Sequence, residues 1–181
     1  MSIATRRGDD ATTGLLHGQR VRKDHPQVEA VGAFDELNVE VGAARLLSGD
    51  AAVRELLMSV QGSLVALMGE IACAEEDAVG HATSRFAVLG EGDLRRLDDT
   101  LTSLESRGIR LDGWATPGAN PSALAFDRAR VAARRAERHL AALPANGRSV
   151  RPLVLQWTNR LSDVLWLLAR EAEGPAAPGG A

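Results

Sequence analysis

The densest chemistry in the sequence is the run Asp127-Arg-Ala-Arg-Val-Ala-Ala-Arg-Arg-Ala-Glu-Arg138, which sets five guanidinium groups and two carboxylates in twelve positions. On a helix that turns about 100° per residue, Arg130, Arg134 and Glu137 fall within roughly 60° of one another, opposite a small apolar side made by Leu124, Ala132, Ala136 and Leu143. Like charges four residues apart repel by about 0.2–0.5 kcal/mol per pair. Such a stripe is therefore either screened by water or neutralised by carboxylates or a phosphate chain.

The N-terminal run Thr5-Arg-Arg-Gly-Asp-Asp-Ala-Thr-Thr-Gly14 joins hydroxyls, two cations and backbone amides beside glycine, a set of donors suited to polyphosphate oxygens. It is not a Walker loop, because the Gly-Lys-Ser/Thr ending and the preceding strand are both missing. Asp35 and Asn38 put polar groups near the sector of Val28 and Val31, so an acid buried there would need a cation as partner, while a small rotation of the helix would leave it wet. Asn159 and Asp163 stand one helical turn apart beside an apolar face. His17, His25, His81 and His139 contain no pair at the spacing that converges on a metal from one helix, and each reads as a surface residue, so no metal-ligating set is expected. No Ser-His-Asp order is present either. Trp114, beside a Pro-Gly turn, reads as core filler or as a lid.

These side chains need a scaffold, and the apolar period supplies one. Val28, Val31, Phe34, Leu37, Val41 and Ala44 recur at three- and four-residue steps, predicting a helix from Pro26 to about Ser48. After a turn at Ser48, Gly49 and Asp50, the set Val53, Leu57, Val60, Leu64, Leu67 and Ile71 predicts an antiparallel second helix. Residues 74–92 form a longer connection. Asp93 is expected to cap a third helix carrying Leu94, Leu97, Leu101 and Leu104, which Gly108 ends. A loop over 109–121 leads to a fourth helix from about Ser122 to Leu143, and a fifth begins near Pro152 with Leu153, Trp157, Leu161, Val164 and Leu168 on one side. The expected class is all-α: an up-and-down five-helix bundle over residues 25–173, preceded by an arm over 1–24 and followed by a disordered tail over 174–181. No strand is expected.

Composition narrows the function classes. The 181 residues suit one domain, and a net charge of −3 gives no general surface for nucleic acid. A lone cysteine, Cys73, forms no internal disulfide and fits a reducing cytoplasm. No signal-like run and no membrane span are expected. Few aromatics and many small residues imply close helix packing, which favours a ligand site between subunits over a large pocket within one.

Taken in order, these segments resemble the PduO-type ATP:corrinoid adenosyltransferases over roughly residues 5–170. The arm resembles that family's Thr-x-x-Gly-Asp-x-Gly-x-Thr opening, and Val28-Glu-Ala-Val-Gly-Ala-Phe-Asp-Glu-Leu-Asn38 its first-helix signature. Arg134-Arg-Ala-Glu-Arg138 and Asn159-Arg-Leu-Ser-Asp163 are the most specific matches. The resemblance implies an ATP:cob(I)alamin adenosyltransferase that makes adenosylcobalamin and tripolyphosphate, built as a homotrimer with active sites between subunits. It places Thr5, Arg6, Arg7, Gly8, Thr13, Gly14, Lys23, Arg134, Arg135, Glu137, Arg138 and Asn159 around ATP and Mg2+. It pairs Asp35 with Arg130 across the interface and sets Trp114, where the family has phenylalanine, against the lower axial face of the corrinoid. An adenosylcobalamin-dependent client enzyme or a cobalamin reductant are the further partners it implies. Ala11 stands in place of the arm's second glycine, and Ala119-Asn120 in place of Gly-Ser or Gly-Thr. These departures raise the alternative of a family-derived corrinoid- or ATP-binding protein with reduced or no transferase activity.

Overall fold

The structure is a computed structural model that describes residues 4, 6–83, 86–109 and 114–174. Thr5, the loop residues 110–113 and the expected tail from 175 onward lie outside the described residues. The arm contains the first correction. Thr12–Gly14 (β1) and Arg20–Arg22 (β2) form an antiparallel hairpin with Thr13 opposite Val21. Strands of three residues are too short for a two-residue alternation to stand out in sequence. Leu15 N–H donates to the Gln19 carbonyl at 2.7 Å, and Gly18, at φ 102°, supplies the left-handed turn.

Two long helices follow with the expected bounds. Pro26–Leu47 (α1) starts with proline in its first turn, where no intrahelical donor is lost, and His25 Nδ1 accepts from Gln27 N–H at 3.2 Å. Ala51–Ile71 (α2) is capped by Asp50, whose carboxylate accepts from Ala52 and Val53 amides at 2.7 and 3.3 Å. Contrary to the sequence reading, α2 is long and apolar enough to cross a membrane by length and composition. Here it is a core helix that buries Leu57, Val60, Leu64, Leu67 and Ile71.

The long connection is locally helical. A 3-10 turn at Glu75–Asp77 runs into the five-residue Ala78–Ala82 (α3). Glu91–Glu105 (α4) starts two residues before the expected cap. Gly90 occupies the cap position, and Asp93 acts from inside the first turn by accepting from Gly90 N–H at 2.9 Å. Pro121–Ala142 (α5) is capped by Asn120, whose Oδ1 accepts from Ala123 N–H at 2.9 Å while its Nδ2 donates to the Ala172 carbonyl at 2.7 Å. The residue that departs from the family pattern is thus a competent cap. Pro152–Glu173 (α6) closes the fold.

Ion pairs fix the directions of the helices. Glu40 meets Arg128 and Glu36 meets Arg135, so α5 runs antiparallel to α1. Asp98 meets Arg160 and Glu171 meets Arg107, so α4 runs parallel to α6. The packing order is α2, α1, α5, α6, α4, and a Ser63–Asp93 hydrogen bond of 2.8 Å ties α4 back to α2. This is the expected five-helix bundle. Phe34, Leu37, Leu64, Leu67, Leu97, Leu140, Trp157 and Leu161 fill its centre. On α5 the buried apolar set is Ala123, Ala125, Phe126, Ala129, Ala132, Ala133, Ala136 and Leu140, mostly alanines that let α1 and α6 approach closely. Leu124, expected in the core, is exposed because the apolar stripe is centred near Ala129 and Ala133.

Candidate functional site

The arm holds its shape through its own polar groups. Asp10 Oδ1 accepts from the Thr12 hydroxyl at 2.7 Å and the Thr12 amide at 3.0 Å. Those two bonds, the hydroxyl first, hold the Asp10 carboxyl below its ordinary value, and nearby Arg20 adds to the effect. Arg20 also donates to the Arg7 carbonyl at 2.7 Å and to the Thr12 hydroxyl. Arg6, Arg7 and Lys23 are left exposed around this loop. A Cβ at Gly8 would stand 3.1 Å from Lys23 Nζ, so only glycine there lets the ammonium lie across the turn without displacement. Ala11 adopts φ 61° and Arg6 φ 58°, both in the left-handed region. The arm therefore takes at Ala11 the backbone conformation that glycine favours, with Lys23 N–H bonded to the Ala11 carbonyl at 2.9 Å. Leu16 N–H to Ala72 carbonyl, at 2.9 Å, docks the hairpin on the end of α2.

The arginine run on α5 divides into two groups. Arg128, Arg130 and Arg135 have carboxylate partners in Glu40, Asp127 and Glu36 respectively. Arg134 and Arg138 are exposed, and among the described residues no carboxylate pairs with either. Arg138 donates to the Arg134 carbonyl at 3.0 Å, which keeps these two cations one turn apart on the same side. Glu137 beside them accepts from Asn159 Nδ2 at 3.3 Å, so α6 delivers Asn159 to this edge. Arg130 uses only its Nε, at 3.0 Å from Asp127. Asp127 is buried and also accepts from buried Arg170 at 2.6 Å. No charge pattern in the sequence singled out the Asp127–Arg170 pair, because Arg170 lies on the last turn of a helix that reads as apolar.

Other expected residues stay apart in the single chain. Asp35 is exposed, which settles the sequence alternatives for this chain in favour of the wet one, and its carboxylate does not reach Arg130. Trp114 is fully exposed at 101% and so is not core filler. It belongs to the loop between α4 and α5, at the end of the bundle away from the arm. Among the described residues no hydrogen bond or ion pair joins the arm to α5, although the C-terminal half of α5 and the arm share one end of the bundle. A cleft lined by Gly42, Arg45, Leu46, Arg54 and Met58 lies along the C-terminal half of α1, away from Arg134 and Arg138.

Two groups were missed at the sequence level. Buried Arg148 donates to the carbonyls of Cys73 at 3.0 Å and Glu70 at 2.8 Å and meets Glu75 at 3.2 Å, so it clamps the chain after α2. His81 is buried rather than on the surface, stacked on Phe86 at 5.6 Å. The fold brings it beside His17 and Cys73, residues far apart in sequence.

The cobalamin adenosyltransferase family matches residues 3–172. The corrinoid adenosyltransferase PduO of Salmonella typhimurium is 35% identical over 176 residues, which cover 97% of this chain and 51% of that protein. The chain thus spans about half the length of this relative. The cobalamin adenosyltransferase of Cupriavidus metallidurans is 35% identical over 93% of this chain and 86% of its own length. A variant of the PduO-type ATP:corrinoid adenosyltransferase from Lactobacillus reuteri, complexed with cobalamin and ATP, superposes with a TM-score of 0.84 at 28% identity, covering 95% of this chain and 93% of that one. With the family matched over residues 3–172, relatives 35% identical along nearly the whole chain and the fold in agreement, the chain belongs to the cobalamin adenosyltransferase family.

Proposed function

We propose that this chain transfers the 5′-deoxyadenosyl group of ATP to the cobalt of cob(I)alamin. The observation that carries this reading is the pair of uncompensated cations Arg134 and Arg138 on α5, at the end of the bundle that also carries the phosphate-suited arm. In the reaction the Co(I) electron pair attacks the ribose C5′ of ATP, a cobalt–carbon bond forms, and the C5′–O bond breaks with its electrons leaving on tripolyphosphate. Cobalt is the nucleophile, so the protein needs no general base. Its contribution is alignment of cobalt with C5′ and neutralisation of the departing polyanion.

The arm residues Thr5, Arg6, Arg7, Gly8, Thr13 and Gly14, with Lys23, hold the triphosphate from one side, and Arg134, Arg135, Arg138 and Asn159 from the other. Among the described residues arm and α5 do not meet within one chain, which supports a homotrimer in which the two halves come from adjacent subunits. Arg130 spends only Nε on Asp127 in this chain, which leaves its terminal nitrogens for Asp35 of a neighbouring subunit. Trp114, exposed here, closes the lower axial face of the corrinoid, which removes a ligand from cobalt and eases its reduction to the Co(I) state. Mg2+ takes oxygen donors and usually rides on substrate phosphates with one or two carboxylates, a role that the Glu137 carboxylate beside the arginines fits; the ion would neutralise the triphosphate as it leaves.

An anaerobic assay with ATP, Mg2+ and chemically reduced cob(I)alamin tests the proposal through the visible spectrum of the cobalt–carbon product. Tight binding of both substrates without that product would replace the transferase reading with a binding protein.

A further inference from the structure

The arm is docked on the bundle beside a group of side chains that the transfer reaction does not use. His17 stands on the turn between β1 and β2, Cys73 just past the end of α2, and His81 in α3. Their ligand atoms all lie within 4.8 Å of one another. Cys73 and His81 are buried, at 0% and 1% exposure, and His17 covers them from the solvent side. The His17 and His81 rings meet edge to face with centroids 6.2 Å apart. His81 lies against bare backbone at Gly69, where an added Cβ would stand 3.6 Å from its Cε1 and 3.8 Å from its Nε2. The Cys73 thiol donates to the carbonyl of that same Gly69 at 3.3 Å, so thiol and imidazole converge on one turn of α2.

We propose that His17, Cys73 and His81 form a site for one Zn2+ ion that fastens the N-terminal arm to the end of the bundle. A tetrahedral zinc ion holds nitrogen at about 2.0–2.1 Å and sulfur at about 2.3 Å, which sets ligand atoms roughly 3.3–3.8 Å apart. Separations of no more than 4.8 Å exceed this by at most about 1–1.5 Å, and the exposed hairpin turn that carries His17 can supply that movement. One thiolate and two imidazoles select a borderline ion such as Zn2+ and disfavour Mg2+ and Ca2+, which take oxygen. Three protein ligands leave the fourth position to water.

The site is legible only in three dimensions, because its ligands come from three segments and no two share a helix at metal-binding spacing. Its consequence is local. Hydrogen bonds from Leu16 to Ala72 and from Gln19 to Asp77 already dock the hairpin, and a metal bridge at His17 would suppress the opening of this edge.

The test uses the full chain, stripped with a chelator and kept reduced and free of nucleotide, titrated with Co2+ as a spectroscopic probe and then with Zn2+ as competitor. The expected result is one equivalent of Co2+ giving a thiolate-to-cobalt charge-transfer band that Zn2+ erases. Cys73→Ser should abolish the band. His17→Ala, which alters an exposed turn and leaves the core intact, should weaken Co2+ binding at least tenfold, with unchanged far-ultraviolet circular dichroism. Zn2+ should also slow tryptic cleavage at Arg20 and Arg22 in the parent chain and not in His17→Ala. Absence of the band, or a band of full strength and affinity in His17→Ala, overturns the site; equal cleavage with and without bound Zn2+ overturns the fastening role.

Discussion

Ala11 stores strain where the arm must bend. A residue with a Cβ in the left-handed region costs about 1–2 kcal/mol, and glycine's extra freedom in the unfolded chain returns part of that. Ala11→Gly should therefore favour the ordered arm by about 0.5–1 kcal/mol, or about two- to fivefold, read as slower amide exchange over the arm and a lower KM for ATP. Arg134→Ala should reduce kcat/KM for ATP by about a hundredfold or more, since it removes a charge placed for a polyanion, while Arg95→Ala on exposed α4 should change it by less than about twofold. Equal losses in the two variants would discredit the phosphate clamp. At this scale helical spacing was informative for Arg130, Arg134 and Glu137, which share one face of α5, while Arg138 and Asn159 were singled out only by the family resemblance. It was silent on Arg20, because the contacts that make Arg20 a strut of the arm depend on a hairpin turn that three-residue strands do not announce.

Between elements, the strongest restraint is Arg148. An arginine in a Gly-Arg-Ser loop reads as solvated, yet burial against the α2 terminus makes it structural. Removing one partner of such a buried set costs about 3–5 kcal/mol, so Arg148→Ala should lower Tm by roughly 6–20 °C in scanning calorimetry. Asn120→Ala should cost about 1–2 kcal/mol through loss of the α5 cap, and Asn120→Ser, which restores a capping oxygen, should recover part of it. Glu75 adds a pH response. The Ser149 hydroxyl first, then the Ser149 amide and Arg148, hold its carboxyl below the ordinary value. A depressed carboxyl contributes stability above its unfolded pKa and loses that contribution as pH falls through the lower folded value. Glu75→Gln should accordingly lower Tm near neutrality and converge with the parent chain in acid. The long helices were legible from the 3.6-residue period, and the antiparallel turn from α1 into α2 from the short loop between them. The start of α4 was not, because Gly90 takes the cap position and Asp93 acts from inside the first turn, a choice that periodicity does not weigh.

At the scale of the whole molecule, α1 and α5 turn apolar groups outward. Val39 is 69% and Val131 52% exposed, on helices joined by the Glu36–Arg135 and Glu40–Arg128 pairs. Such side chains between charged ones are suited to burial against another subunit. If the proposed homotrimer forms through this face, Val131→Glu should convert it to monomers in sedimentation velocity and abolish the proposed transfer while leaving helicity intact. A trimer that persists with Val131→Glu would remove this face from the interface. The sequence pointed toward a shared site through its scarcity of aromatics and its wealth of alanine. It misjudged Leu124 because one position of helical phase decides whether a side chain meets its own core or a neighbour's.

In the proposed trimer, the Asp127–Arg170 pair beneath Arg130 bears on how subunits find one another. Folding alone immobilises that guanidinium, since its Nε is held from below before any second chain arrives. Little rotamer freedom remains to be lost at Arg130 on docking, so an approaching carboxylate meets a fixed target and mismatched orientations gain nothing from it. Trimer assembly would then be a rigid selection among encounters, with the last turn of α6, where Arg170 sits, setting the fidelity of a contact it never touches.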